Sequence, residues 1–266
     1  VPDPLDLLAL ATSMAADAAQ LLREGLGHVH DVDTKSSPTD MVTASDRGSE
    51  RLIVDAIRRA RPDDAILGEE GTADAGTSGV RWVVDPLDGT TNFLYGIPAF
   101  AVSIAVEVDG TTEVAVVVDV ARDETFTAVR GQGATLQGRP IRCTGASHLA
   151  TALVGTGFSY DAGRRARQGA VVARLLPQVR DIRRSGSAAL DLCWVAAGRL
   201  DAYYEHGLAP WDLAAGSLVA AEAGATVGDL DGGPPSGACT LAAAPAVFEP
   251  LRALVATQGT ATPESA

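Results

Sequence analysis

Between residues 5 and 22, in LDLLALATSMAADAAQLL, apolar side chains return every three or four positions, the period that covers one face of an α-helix. Asp6 and Asp17 interrupt the run and no basic leader precedes it, so it reads as an amphipathic helix rather than a signal or a membrane span. Pro38 and a Ser/Thr/Asp cluster break any helix across HDVDTKSSPTDMVT, residues 30 to 43. A second helix follows, capped near Thr43 or Ser45, with Leu52, Ile53, Ala56, Ile57 and Ala60 on one face and Pro62 beyond its end.

AILG (65 to 68) and VRWVV (80 to 84) are short continuous apolar runs, which predict buried strands; a glycine-rich loop, EEGTADAGTSG, joins them, and both end in acid. AFAVSIAVEV and TTEVAVVVDV flank Asp109-Gly110, a strong hairpin signal, and ETFTAV (124 to 129) extends the hairpin to an antiparallel sheet. From about residue 150 strand-like and helix-like segments alternate. These are TALVGTGF, a helix over 164 to 176, a helix over 187 to 197, DAYYE, a helix from Asp212 to Ala223, ATVGDL, TLAAA and a last helix from Val247 to Ala256. Mixed sheets layered with helices are expected, in one compact unit over 1–256 with an α+β subregion to about 145 and an α/β subregion from about 146. The polar tail, 257–266, is expected to be loose, and no solenoid repeat or low-complexity linker divides the chain.

Composition narrows the function. With 46% hydrophobic and 21% charged residues among 266, the chain has ordinary globular composition and enough apolar residues for a sizeable core. A formal net charge of −13 argues against nucleic acid or an anionic membrane as main partner, since those surfaces select basic patches. The arginine run RRARQGA (164 to 170) is accordingly read as a solvated helix face. Cys143, Cys193 and Cys239 are scattered with no CxxC spacing, which points to a reducing compartment, the cytoplasm. His28, His30, His148 and His206 follow no zinc-site spacing.

Carboxylates gather in four places: Asp46 in TASD, Glu69 and Glu70 in GEEG, Asp85 and Asp88 in DPLDGTT, and Asp212 in PWDLAAG. Acids spaced like Asp85 and Asp88 repel unless something positive lies between them, and hard divalent cations such as magnesium take carboxylate and carbonyl oxygens. Pro86 forces an extended turn that frees the Leu87 carbonyl for the same ions. A helix starting at Gly89-Thr90-Thr91 would turn free N–H groups toward phosphate, with Gly89 permitting close backbone approach. A threonine hydroxyl beside the ions can orient the attacking water.

WVVDPLDGTTNF (82 to 93) and WDLAAGSLVAAEAGA (211 to 225) resemble the two signatures of the inositol monophosphatase family. KSSPTDMVTASD, ILGEEG and RRSGSAALDLCWVAAGRLDAYYEHG fall in the family's order and spacing, so the resemblance runs from about residue 5 to 256. It implies an αβαβα five-layer sandwich, usually a homodimer, that hydrolyses a phosphate monoester with two to three Mg2+ ions, without a phosphoenzyme, and is commonly inhibited by lithium. Glu69, Asp85 and the Leu87 carbonyl would hold the first ion, Asp85, Asp88 and Asp212 the second, and Glu70 through water a third.

The resemblance also assigns the substrate side. Asp46 and Thr90 would aim the water, and Gly89, Thr90 and Thr91 would contact phosphate. Asp88, Gly186, Ser187, Ala188 and Glu205 would meet the alcohol, with Lys35 offsetting carboxylate charge behind the ligands. AYYEHGLAPWD, with Glu205 seven residues ahead of Asp212, looks most like the inositol type, so a small phosphorylated polyol, myo-inositol 1-phosphate, is the expected substrate. Ala209-Pro210 is a local departure that bears on selectivity. Histidinol-phosphate phosphatase, fructose-1,6-bisphosphatase and nucleotide 3'-phosphatase are alternatives with the same metal core. A binding role without catalysis, as implied by relatives in transcription-complex assembly, is an alternative of another class.

Overall fold

The computed structural model describes residues 2–27, 33–34 and 41–256; Lys35, His28, His30 and the 257–266 tail lie outside them. In chain order the elements are α1 (Pro4–Gly25), β1 (Asp33–Thr34), β2 (Met41–Val42), α2 (Ala44–Ala60), β3 (Ala65–Gly68), β4 (Ala73–Asp74), β5 (Val80–Asp88) and α3 (Thr90–Tyr95). There follow β6 (Ala101–Val108), β7 (Thr111–Asp119), β8 (Glu124–Val129), β9 (Gly133–Leu136), β10 (Arg139–Pro140), β11 (Leu153–Thr156), α4 (Ala162–Leu175) and β12 (Asp181–Arg183). The chain continues through α5 (Ala188–Ala196), β13 (Ala202–Glu205), α6 (Pro210–Glu222), β14 (Thr226–Gly228), β15 (Thr240–Ala243) and α7 (Pro245–Ala256).

Five layers result. Helices α1 and α2 cover one face of an eight-stranded sheet ordered β10-β9-β8-β7-β6-β5-β3-β4, through Leu7, Met14, Leu22, Ile53, Ile104 and Val116. On the opposite face α5 and α6 meet small residues, Ala101, Ala105, Ala115 and Ala128. The alternation along β6, large toward α1 and small toward α6, is what a two-residue side-chain period gives when the two faces need different depths. The same two helices pack their other side, through Leu192, Val195 and Ala220, on a five-stranded sheet ordered β12-β11-β13-β15-β14. Helices α4 and α7 close that sheet's outer face around Leu175, Val247 and Leu251. Gly216 lets α5 and α6 approach closely, since a Cβ there would lie 2.7 Å from the Leu192 Cβ.

Local chemistry explains the element ends. Asp109 and Gly110 both adopt positive φ, 49° and 79°, the conformation that a two-residue turn between twisted antiparallel strands needs. Pro210 and Pro245 begin α6 and α7, two residues before the expected Asp212 and Val247, because proline's missing N–H costs nothing in the first turn. The loop EEGTADAGTSG carries β4 paired to β3, and residues 133 to 140 add β9 and β10, too short and turn-rich to stand out in sequence. By length and hydropathy α1 could cross a bilayer, but Leu7, Ala11, Met14, Ala15, Ala18, Ala19 and Leu22 are buried in the fold.

Candidate active site

Strands β3 and β5 run parallel with Gly68 opposite Val84, so both carboxyl ends emerge on the same side of the sheet. That pairing sets Glu69 beside Asp85: the Glu69 N–H donates to the Val84 carbonyl at 3.2 Å, and the Glu69 charge acts on the Asp85 carboxyl. A register shift against β6 falls between Asp85 and Asp88, where Pro86 cannot donate to the ladder, and it brings the second acid back to the first. Helix α6 then delivers Asp212 in its first turn, its Oδ2 accepting from the Ala209 N–H at 2.6 Å. Ligand oxygens of Asp85, Asp88 and Asp212 all lie within 4.8 Å of one another.

Such a cluster is costly without a counter-charge. Burial, then the charges of Glu69, Asp88 and Asp212, pushes the Asp85 carboxyl well above the usual carboxylate range. Burial lifts Asp88 to about 6, against the stabilising bonds from Ser187 and Ala189. Burial and then the Asp88 charge raise Asp212 likewise. The donor set is all oxygen and all acidic at its centre, which fits a hard divalent cation and no thiolate or imidazole metal. The protein's own compensation is partial and comes from helix N-termini: Asp88 Oδ2 accepts from the Ser187 hydroxyl at 2.6 Å and the Ala189 N–H at 2.7 Å at the start of α5.

Beside the acids the chain turns into α3. Gly89 caps it at φ 94°, and a Cβ there would lie 2.9 Å from the Ala99 carbonyl oxygen and 3.2 Å from that of Gly186. Backbone atoms cannot move aside as side chains can, so Gly89→Ala is expected to lower stability by at least ~2 kcal/mol, adding close contacts to the left-handed penalty. Thermal unfolding checks this. Thr90 Oγ1 donates to Asp46 Oδ1 at 2.8 Å; Asp46, fully buried, also accepts from the Thr43 N–H and hydroxyl at the start of α2. A carboxylate so occupied fixes the direction of the Thr90 hydroxyl.

A cleft of about 440 Å3 opens over these groups, lined by Glu69, Asp85, Asp88, Gly89 and Thr90 on one side and by Phe158, Arg184, Gly186, Ala188, Glu205 and Trp211 on the other. Of the residues singled out in the sequence, Asp46 is sealed beneath it, Ser187 is buried against Asp88, and neither Glu70 nor Thr91 is part of its lining. Glu205 ends β13 with its Oε2 accepting from the Tyr203 hydroxyl at 2.6 Å. Burial raises Glu205 to about 7, opposed by that bond and the Arg184 charge.

Since its folded value lies above the ordinary 4.5, stability from Glu205 is full below that value and is lost as pH rises through about 7. Roughly 3 kcal/mol is at stake in the metal-free chain. Glu205→Gln should flatten that decline, as read by urea unfolding in chelator at about pH 5 and about pH 8.5.

Several supporting residues escaped the sequence reading. Glu50, 5% exposed on α2, accepts from the Glu70 N–H at 2.7 Å and from the Thr72 hydroxyl at 2.7 Å, holding the GEEG turn in place. Ser49 donates to the Pro86 carbonyl at 2.9 Å. Asn92 ties α3 to the substrate wall by donating to the Ala99 and Ser185 carbonyls. A Cβ at Gly157 would overlap the Glu205 carboxylate, so only glycine leaves that side chain its place. For Glu50 a signal existed: Asp46, Ser49 and Glu50 continue the buried stripe of Ile53, Val54 and Ile57, and polar residues on an apolar face mark a buried site.

The model of the inositol monophosphatase family matches residues 3–263. This chain belongs to that family. It is 48% identical to the inositol-1-monophosphatase of Mycobacterium bovis, over 94% of this chain and 93% of that protein. It is 45% identical to the Nus factor SuhB of Pasteurella multocida, over 85% and 86%. The solved structure of the extragenic suppressor protein suhB from Bartonella henselae superposes with a TM-score of 0.90 at 36% identity, covering 95% of this chain and 99% of that one. As an inositol monophosphatase family member the chain has the five-layer order the sequence implied. Of the segment KSSPTDMVTASD, Asp46 is described at the site and Lys35 lies outside the described residues.

Proposed function

We propose that this chain is a magnesium-dependent phosphate monoester hydrolase whose preferred substrate is myo-inositol 1-phosphate. One observation carries the reading: the Asp85–Asp88–Asp212 cluster adjoins a hydroxyl, that of Thr90, held by a buried carboxylate. Glu69, Asp85 and the Leu87 carbonyl would hold one ion, Asp85, Asp88 and Asp212 a second, and Glu70 through water a third. Magnesium, when bound, neutralises phosphoryl oxygens and makes water a better nucleophile.

The chain's own residues do the rest. With its O–H already donated in a hydrogen bond to Asp46, the Thr90 hydroxyl can only accept from a water, and so turns that water's lone pair toward phosphorus. Gly89 and Thr90 line the cleft, and they and Thr91 would bind the phosphoryl group through backbone N–H groups at the α3 N-terminus. The water oxygen bonds to phosphorus as the ester oxygen leaves with its electron pair and takes up a proton, giving phosphate and the alcohol with no bond to the protein. Gly186, Ser187, Ala188 and Glu205 would position the alcohol; the Glu205 carboxyl, whose Oε2 accepts from Tyr203, offers its other oxygen to hydroxyl groups, which supports a polyol over an apolar alcohol.

The test is phosphate release from myo-inositol 1-phosphate, histidinol phosphate, fructose 1,6-bisphosphate and adenosine 3',5'-bisphosphate. The inositol ester is expected to lead in kcat/KM, and a lead by histidinol phosphate would overturn the substrate assignment. The name of the Pasteurella multocida relative, Nus factor SuhB, supports a second reading as a binding partner. Four carboxylates at one site have no evident use in that role alone.

A further inference from the structure

A groove larger than the catalytic cleft, about 740 Å3, lies between α4 and α7, within the range of small-molecule sites. Ala166, Ala170 and Val171 of α4, Leu230 from the segment after β14, and Val255 of α7 give it apolar walls. Arg164, Arg167 and Arg174 stand around it, and among the described residues none that lines it is acidic. In a chain of net charge −13, an acid-free concavity edged by guanidinium groups is a local reversal of potential that would concentrate anions. The arginine run is the solvated face that the sequence suggests, and Arg164 and Arg167 of it also edge the groove.

The packing of α4 points the same way. Its buried residues are Gln168 and Leu175, while Ala166 and Ala170, four residues apart, line the groove and stay exposed. Gln168, 7% exposed, holds the helix there: its Oε1 accepts from the Ser159 N–H at 2.9 Å and its Nε2 donates to the His206 carbonyl at 3.4 Å. The groove is open to solvent, and its apolar lining gains free energy when a ligand's apolar body covers it.

We propose that this groove, which adjoins the phosphatase cleft at His206 and Gly207, is a second ligand site that takes an amphiphilic anion. Such a ligand has one carboxylate, sulfonate or phosphate group on an aliphatic or aromatic body. The apolar walls take the body, and Arg164 and Arg167 take the head by the paired N–H geometry that guanidinium offers to oxyanions. The proposal does not depend on the phosphatase reading.

The probe is 8-anilinonaphthalene-1-sulfonate, titrated by fluorescence into the full chain, the Arg164→Glu/Arg167→Glu double variant and Ala166→Trp, which fills the groove from an exposed helix position. One saturable equivalent is expected, with affinity falling at least ~10-fold in each variant, while the neutral N-phenyl-1-naphthylamine loses affinity in Ala166→Trp alone. Far-ultraviolet circular dichroism and melting temperature confirm that the variants are folded. Equal sulfonate affinity in all three proteins overturns the proposal, as does loss in Ala166→Trp without loss in the arginine variant. A gain of ~10-fold or more on removing residues 257–266 would assign the groove to the chain's own end and would equally overturn it.

Discussion

Asp88→Asn is expected to lower magnesium-dependent phosphate release by about 10³-fold or more, a loss of roughly 4 kcal/mol in transition-state stabilisation, while raising the melting temperature of the metal-free protein. The two signs follow from one geometry. Asp88 Oδ2 is committed to the Ser187 hydroxyl and the Ala189 N–H, and an asparagine oxygen can keep both bonds, so the α5 start stays docked. The remaining position becomes an NH2 group facing Asp85 and Asp212, which cannot ligate a cation. Removing one of the clustered charges also relieves the repulsion that helps push Asp85 and Asp212 up. A structural acid would give the opposite stability result. Phosphate release and thermal unfolding in chelator, on the same preparation, read both effects.

Thr90→Ala is expected to cut kcat by about 10² to 10³-fold, the size seen when one preorganised polar group at a reacting centre is lost, with KM changed by less than about twofold. The hydroxyl would hold the water rather than the substrate, so the loss belongs to the chemical step. Asp46 Oδ1, at 2.8 Å, is left without this partner in a fully buried setting, which costs an additional ~1–3 kcal/mol of folding stability. Thr90→Ser separates the two: it keeps the hydroxyl and should recover most of kcat. Comparable losses in both variants, or a loss confined to KM, would move Thr90 from positioning water to packing.

How much of this was legible in the chain depends on how local the determining chemistry is. The Asp109-Gly110 hairpin, the Thr43 cap and the acid-proline-acid turn at 85 to 88 are decided by neighbours in sequence, and the structure has them where the pattern put them. The joining of Glu69 to Asp85 required parallel pairing of β3 with β5, which the apolar runs suggest but do not fix. Glu50, Asn92 and Gly157 matter through partners far along the chain, Glu70, Ser185 and Glu205. No periodicity reports such contacts. The stripe on α2 shows the limit from the other side: Val54 is buried although it was not on the expected face, and Ala60, which was, is exposed with Arg58 and Arg59 in the last turn. The groove beside α4 was hidden for a similar reason, because its other wall comes from Leu230, Ala238 and Val255, far along the chain.

Phosphate release from myo-inositol 1-phosphate, followed as magnesium is titrated into chelator-treated protein, tests the central claim most directly. The account predicts no turnover in chelator, a rise with added magnesium, and no rise in Asp88→Asn at any concentration. Release that persists in chelator, or that rises equally in Asp88→Asn, would contradict it.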